Sequence, residues 1–169
     1  MPRSGGGSTI DSCLVMGRKC RGYDRGGNSG DRKDIIIQDL TTTPIESGFD
    51  EKLLGKADFI FLDPPYHDMV FETGKIEDFY QFLHILAKKS KLTLKTGGKV
   101  GILISDMTEK GQYCLSGESY KIFLEEGLKY IDHISAPMDP NVEFKPREDD
   151  ERKLIGRNRD LYIFEKEAE

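Results

Sequence analysis

Pro64 and Pro65 stand side by side at the end of an apolar run, Phe59-Ile60-Phe61-Leu62, with Asp63 between the run and the prolines. A proline pair fixes φ at two successive positions and removes two amide donors, and Pro64 also holds Asp63 to extended backbone. The run therefore reads as a strand that has to end there, since neither a helix nor a central ladder can continue through it. So apolar a strand is expected to be buried on both faces. Asp63, Pro64, Pro65 and Tyr66 would then be the first groups to emerge at the carboxyl edge of a sheet, where open α/β sheets bind ligands. A carboxylate, carbonyls that no regular ladder can fully claim and a phenol ring are held together there. The plainer alternative is a strand and a turn, with Asp63 as a cap and Tyr66 as a packing residue.

The rest of the chain alternates strands with helices. A glycine-rich start, Met1 to Thr9, opens into Ile10-Asp11-Ser12-Cys13-Leu14-Val15-Met16, which has helical spacing of apolar residues and a stop at Gly17. This start reads either as a flexible leader or as a glycine turn whose bare backbone lets a ligand approach a helix N-terminus. Lys19 to Asp24 and Ile35 to Gln38 read as short strands, each ending in an acid, Asp24 and Asp39. The distance from the glycines to Asp24 is close to the ~20 residues at which an acid meets a ribose in nucleotide-binding βαβ units. Thr41 to Ala57, with Pro44 and Gly48, reads as a loop with at most one helical turn. Ile76, Phe79, Tyr80, Leu83 and Leu86 mark a long amphipathic helix in which His84 is expected to be satisfied or exposed and not a ligand. Thr96-Gly97-Gly98 reads as a turn, Val100 to Ile104 as a buried strand, Ser116 to Lys129 as a helix, and Tyr130 to Ile134 and Asp160 to Phe164 as strands. Between the last two, Ala136 to Arg159 is an excursion of prolines and charges. The rhythm implies a parallel-based, three-layer α/β fold with right-handed crossovers.

At 169 residues the chain suits one domain that buries roughly two thirds of its unfolded surface. Cys13, Cys20 and Cys114 are odd in number and lack paired spacing, which points to a reducing compartment and away from a disulfide framework or a zinc site. No apolar run approaches the ~20 residues of a membrane span, and the start lacks a secretory apolar core. A cytoplasmic location with no membrane partner is expected. The net charge of −5 argues against a surface that grips a nucleic-acid backbone strongly on its own. Arg18, Lys19 and Arg21, and Lys88, Lys89, Lys91 and Lys95, form local basic clusters that read as solvated faces in preference to a binding patch.

Two stretches resemble a known family. Phe61-Leu62-Asp63-Pro64-Pro65-Tyr66 matches the catalytic motif of amino-group (adenine N6 or cytosine N4) DNA methyltransferases, and Pro2-Arg3-Ser4-Gly5-Gly6-Gly7-Ser8-Thr9 is similar to their glycine loop, imperfectly. The likeness runs over nearly the whole chain, through Arg21-Gly22-Tyr23-Asp24, Gln38-Asp39 and Gly97-Gly98-Lys99. It implies a class I S-adenosylmethionine-dependent methyltransferase fold, a Rossmann-like three-layer sandwich, with residues 1–169 as a single catalytic domain. By position, Gly5 and Gly7 would lie beside the amino-acid portion of S-adenosylmethionine. Asp24 would accept from its ribose hydroxyls and Asp39 from its adenine amine, with Leu40 against the ring. An acceptor-only carboxylate suits a diol or an amine donor; each acid could equally cap the helix that follows its strand. Asp63 and the Pro64 carbonyl would accept the N–H groups of the base amine, Pro65 would keep the turn rigid, and Tyr66 would stack on a base rotated out of its helix.

The family's first strand, central in its sheet, precedes the glycine loop, and here that loop begins at Met1-Pro2. The expectation is a fold with its first strand missing: a domain truncated at the N-terminus, one completed by a second chain, or a remnant. Between Asp39 and Asp63 there is no room for a target-recognition domain. Reading of DNA would then fall to the Ala136 to Arg159 excursion, to a missing N-terminal part or to a partner subunit. Two rivals remain beside DNA amino-methylation: methylation of a guanine amine in ribosomal RNA, and a cofactor-binding or partner subunit without catalysis.

Overall fold

The computed structural model describes residues 7–24, 32–64, 75–109, 111–137 and 158–168. Its helices are α1 (Ser8–Val15), α2 (Ile76–Thr93) and α3 (Leu115–Glu125). Its strands are β1 (Gly22–Asp24), β2 (Ile35–Ile37), β3 (Ala57–Leu62), β4 (Leu94–Ile104), β5 (Met107–Glu109), β6 (Gly111–Tyr113), β7 (Lys129–Pro137) and β8 (Asn158–Glu165). Among the described residues no helix is long and apolar enough to cross a membrane.

The stops of α1 and α3 are written in glycine. After α1, Gly17 takes φ 66, its N–H donates to Leu14 O and that of Arg18 donates to Cys13 O. After α3, Gly127 takes φ 80, with Gly127 N–H to Leu124 O and Leu128 N–H to Phe123 O. Both are the paired 5→2 and 6→1 bonds of a Schellman stop, which a left-handed glycine closes without steric cost. The buried Leu128 lies beside Phe123 in the core.

β3, β4, β8 and β7 lie in that order in one sheet, while β1 and β2 form a separate parallel pair, and β5 and β6 a short hairpin. β3 and β4 are parallel; β8 runs antiparallel to both β4 and β7. The parallel expectation thus holds for the early strands and yields at the last one. Val100, Ile102 and Ile104 of β4 and Phe164 of β8 meet Phe79, Leu83 and Leu86 of α2 and Ile122 and Phe123 of α3 in the buried apolar cluster. On β1, successive residues point to opposite faces. Tyr23 packs toward that cluster and against Phe49, whereas a Cβ on Gly22 would meet Ile10 of α1 at 2.7 Å. The small sheet therefore has α1 on one side and the core on the other, which supplies the third layer.

Three expectations are corrected. β3 is not buried on both faces: Phe59 and Phe61 are 55% and 42% exposed while Leu62 is buried. The described helices that pack on this sheet, α2 and α3, both pack on the Leu62 face through the core cluster. Lys89 does not belong to a solvated face; it is fully buried, and its Nζ donates to Thr43 O, Thr43 Oγ1, Pro44 O and Gly48 O at 2.7–3.2 Å. The turn read at Thr96-Gly97-Gly98 lies within β4, with Gly97 at φ 74. Smaller differences are two 3₁₀ turns, Ile45–Ser47 and Glu51–Leu53, where one helical turn was expected.

Candidate functional site

Each acid singled out by the sequence sits where a strand runs out. Asp24 ends β1 and is only 6% exposed. Its carbonyl accepts the N–H of Gln38 at 2.7 Å, and Asp24 is in register with Ile37. The tips of β1 and β2 are thereby locked side by side, so Asp24 and Asp39 share one sheet edge. Asp39 Oδ1 accepts from Thr41 N–H at 2.9 Å and from Thr41 Oγ1 at 2.6 Å. Among the described residues no helix directly follows Asp39 for it to cap; the carboxylate instead closes a local turn on Thr41, which fixes its orientation and leads into Leu40, which packs partly buried against the core.

The loop that follows is anchored from beneath. Four oxygens of Thr43, Pro44 and Gly48 surround the Lys89 ammonium, and Phe49 N–H donates to Thr93 Oγ1 at 3.1 Å. Burial pushes the Lys89 amine below the usual lysine range, and the four acceptors favour the charged form. Beside β2 an open cavity of about 340 Å³ is lined in part by Ile36, Gln38, Phe49 and Asp50.

Gly7 precedes α1 in a left-handed conformation, φ 81, and no side chain caps the helix. A Cβ there would stand 2.5 Å from Arg32 Nη1, the movable end of a long side chain, so it is the left-handed backbone that favours glycine here. Arg32 donates to both carboxylate oxygens of Asp11, at 2.8 and 2.9 Å, and to Asp34, which pins α1 to the approach of β2. These bonds hold the Asp11 and Asp34 carboxyls below the usual carboxylate range.

At the end of β3, Asp63 is half exposed and Pro64 is buried. The carboxylate is tied across the sheet to Arg159 of β8, Nη2 to Oδ1 at 2.5 Å. The structure therefore brings Asp24 and Asp39 together and leaves Asp63 on the other sheet, bound to a strand that the sequence argument did not connect with it. Gly5, Pro65 and Tyr66 lie outside the described residues. Among the described residues no group of three or more His, Cys, Asp or Glu could hold a metal ion. His84 is satisfied, as expected, with Nδ1 2.7 Å from Glu126 Oε1.

Sequence reasoning missed Arg32, Arg159 and the burial of Lys89. Arg159 and Asp63 are 96 residues apart, and no local pattern marks such a pair. Lys89 carried a faint signal, because it falls on the Phe82, Leu86 and Thr93 side of a helix of period 3.6.

No family model matches the sequence, and no curated protein matches it. Solved structures do match. TTHA0409 of Thermus thermophilus, assigned as a DNA modification methylase and solved with S-adenosyl-L-methionine, aligns with TM-score 0.52 at 16% identity, over 77% of this chain and 52% of that one. The antibiotic-resistance methyltransferase Kmr aligns with TM-score 0.58 at 13% identity, over 98% and 84%. A chain from the complex of the Haloferax volcanii Trm112 methyltransferase activator with a methyltransferase aligns with TM-score 0.59 at 14% identity, over 98% and 80%. The chain spans about half the length of TTHA0409. At these identities the likeness shows the fold, which is the mixed α/β fold of class I S-adenosylmethionine-dependent methyltransferases.

Proposed function

We propose that this chain transfers the methyl group of S-adenosylmethionine to an exocyclic amine of a DNA base, adenine or cytosine. The observation that carries the reading is Asp63-Pro64 at the C-terminal end of β3, with a half-exposed carboxylate beside a buried proline, in a fold shared with methyltransferases. The described residues suit the cofactor. Gly7 offers left-handed glycine backbone at the start of α1, with the Arg32 guanidinium beside it, Asp24 is a buried carboxylate at a strand tip, and Asp39 is a carboxylate held in place by Thr41. Gly5 and Gly7 would hold the amino-acid end, Asp24 the ribose hydroxyls and Asp39 the adenine amine, with Leu40 against the ring.

When bound, S-adenosylmethionine supplies an electrophilic methyl group. The protein's task is to make a weak nucleophile attack it. An exocyclic amine is conjugated with its ring; N–H bonds to the Asp63 carboxylate and the Pro64 carbonyl draw the nitrogen toward tetrahedral geometry and turn its lone pair outward. By the family resemblance Pro65 would keep the turn rigid and Tyr66 would stack on the extruded base, a contact worth ~1–3 kcal/mol. Positioning and electrostatics of this kind supply the acceleration.

The separation of β1 and β2 from the four-stranded sheet leaves β1 paired only with β2 and β3 only with β4 among the described strands. A further strand between β1 and β3, from a second chain or from outside the described residues, would satisfy both ladders. DNA, read with the help of such a partner, is the proposed substrate.

Tritium transfer from labelled S-adenosylmethionine into DNA, ribosomal RNA and a no-substrate control tests the reading. Label in DNA that Asp63→Ala abolishes, while calorimetry shows S-adenosylhomocysteine still bound, is the expected result. Normal turnover by Asp63→Ala would overturn it, and label in ribosomal RNA alone would move the acceptor to the guanine amine.

A further inference from the structure

Arg159 holds Asp63 from two strands away. β4 lies between β3 and β8, Leu62 is in register with Ile102, and Asp160 is in register with Ile104 at the end of β4. The Arg159 side chain therefore crosses the C-terminal end of β4 to donate to Asp63 Oδ1 at 2.5 Å. Neither group is sealed in: the two side chains are 34% and 49% exposed. Charge-assisted bonds of this length are strong where water is excluded, but a partly exposed ion pair exchanges readily for another anion.

On the amine-methylation reading, this contact conflicts with the chemistry. An acceptor nitrogen gains positive charge as its lone pair forms the bond to the methyl group and the electron pair of the broken C–S bond stays on sulfur. A guanidinium on the same carboxylate repels that charge and already engages one of its two oxygens, Oδ1. Release of Arg159 from Asp63 as the acceptor docks would remove that repulsion, and the freed, partly exposed guanidinium can then take another anion. A nucleic-acid strand brings one with every nucleotide, and planar guanidinium is well matched to phosphate.

We propose that Arg159 is a latch: it holds the Asp63 carboxylate in the free protein and passes to a backbone phosphodiester of the acceptor strand, which releases Asp63 for the base. Docking of the strand and exposure of the carboxylate then become one event. A small acceptor without a phosphate leaves the latch closed.

A double-mutant cycle on strand binding tests this without relying on turnover. The full chain, Arg159→Gln, Asp63→Asn and the double variant are titrated into short fluorescein-labelled single strands of DNA and of RNA, with anisotropy as readout and circular dichroism to confirm folding. Arg159→Gln is expected to weaken binding and to lower the log–log salt slope by about 0.7, the loss of one phosphate contact on a single strand. Asp63→Asn is expected to tighten binding several-fold, because it frees the guanidinium, and to do nothing in the Arg159→Gln background. An equal gain in both backgrounds would mean simple removal of a negative charge and would overturn the latch, as would no strand binding by any of the four. Exchange on DNA and RNA alike supports it, since the ligand is the phosphodiester. Calorimetry with S-adenosylhomocysteine separates the two readings: cofactor binding without coupling refutes the latch alone, and coupling without cofactor binding refutes the methylation reading and leaves the phosphate exchange standing.

Discussion

Replacing Lys89 with methionine should damage the fold far more than replacing its sequence neighbour Lys88. The Lys89 side chain is fully buried, and its ammonium is the hydrogen-bond donor to four oxygens. Its loss leaves the buried Gly48 carbonyl without that donor, at about 1–3 kcal/mol. Thr43 and Pro44 are near enough to solvent to recover water, so each adds roughly 0.5–1 kcal/mol. Burial of the methionine side chain in place of an ammonium returns about 1 kcal/mol. The net expectation is a loss of ~1–4 kcal/mol, which for a domain of this size lowers Tm by roughly 2–16 °C. Lys88, whose side chain is 47% exposed and 3.7 Å from Glu126, should lose no more than about 1 kcal/mol in the same exchange. The assay is urea unfolding followed by circular dichroism, with thermal melts beside it. Because the tethered loop follows Asp39-Leu40, S-adenosylhomocysteine affinity of Lys89→Met should fall as well. Equal destabilisation of the two variants, within about 0.5 kcal/mol, would refute the argument that the buried ammonium organises this loop.

Gly7→Ala places a Cβ against Arg32 and forces a non-glycine residue to φ 81; a stability loss of ~1–2 kcal/mol and weaker S-adenosylhomocysteine binding are expected, measured by urea titration and calorimetry. Asp24→Ala should weaken cofactor affinity about tenfold or more; an unchanged Kd would assign Asp24 to structure alone. The Asp11 and Asp34 carboxyls lie below their ordinary value of 3.8, chiefly through the hydrogen bonds from Arg32. Their folded forms therefore prefer to be ionised, so the stabilisation is complete above that value and is lost as pH falls through the lower folded one. Arg32→Gln should accordingly unfold earlier than the native chain at neutral pH, with the difference shrinking as titrations are taken below pH ~4.

The elements that could be read from the sequence are those fixed by short-range rules. Gly17 and Gly127 end their helices where a left-handed stop is required, the spacing of Phe79, Leu83 and Leu86 places α2 against the sheet, and Asp63 follows β3 directly because the apolar run before it stops there. What the sequence hid is decided by tertiary contact. Phe59 and Phe61 look like core residues in a window of six, and only the placement of α2 and α3 on one face reveals that they are exposed. Lys89 looks like its neighbours Lys88 and Lys91 until the loop from Thr43 to Gly48 closes over it.

The same distinction runs through the candidate site. Asp24 and Asp39 were expected at one site through the family resemblance, and the parallel pairing of β1 with β2 puts their strand tips on one edge. The partner of Asp63 could not be read from the sequence, because β8 reaches it only by returning antiparallel beside β4 after the long segment that follows β7. That return matters for function. Any antiparallel strand at this place would complete the ladder, but only one carrying a long cation at position 159 can set the charge state around the residue proposed to grip the acceptor amine. The late strand is thus read as two things at once: a ladder that closes the edge of β4, and the arm that decides when Asp63 is available.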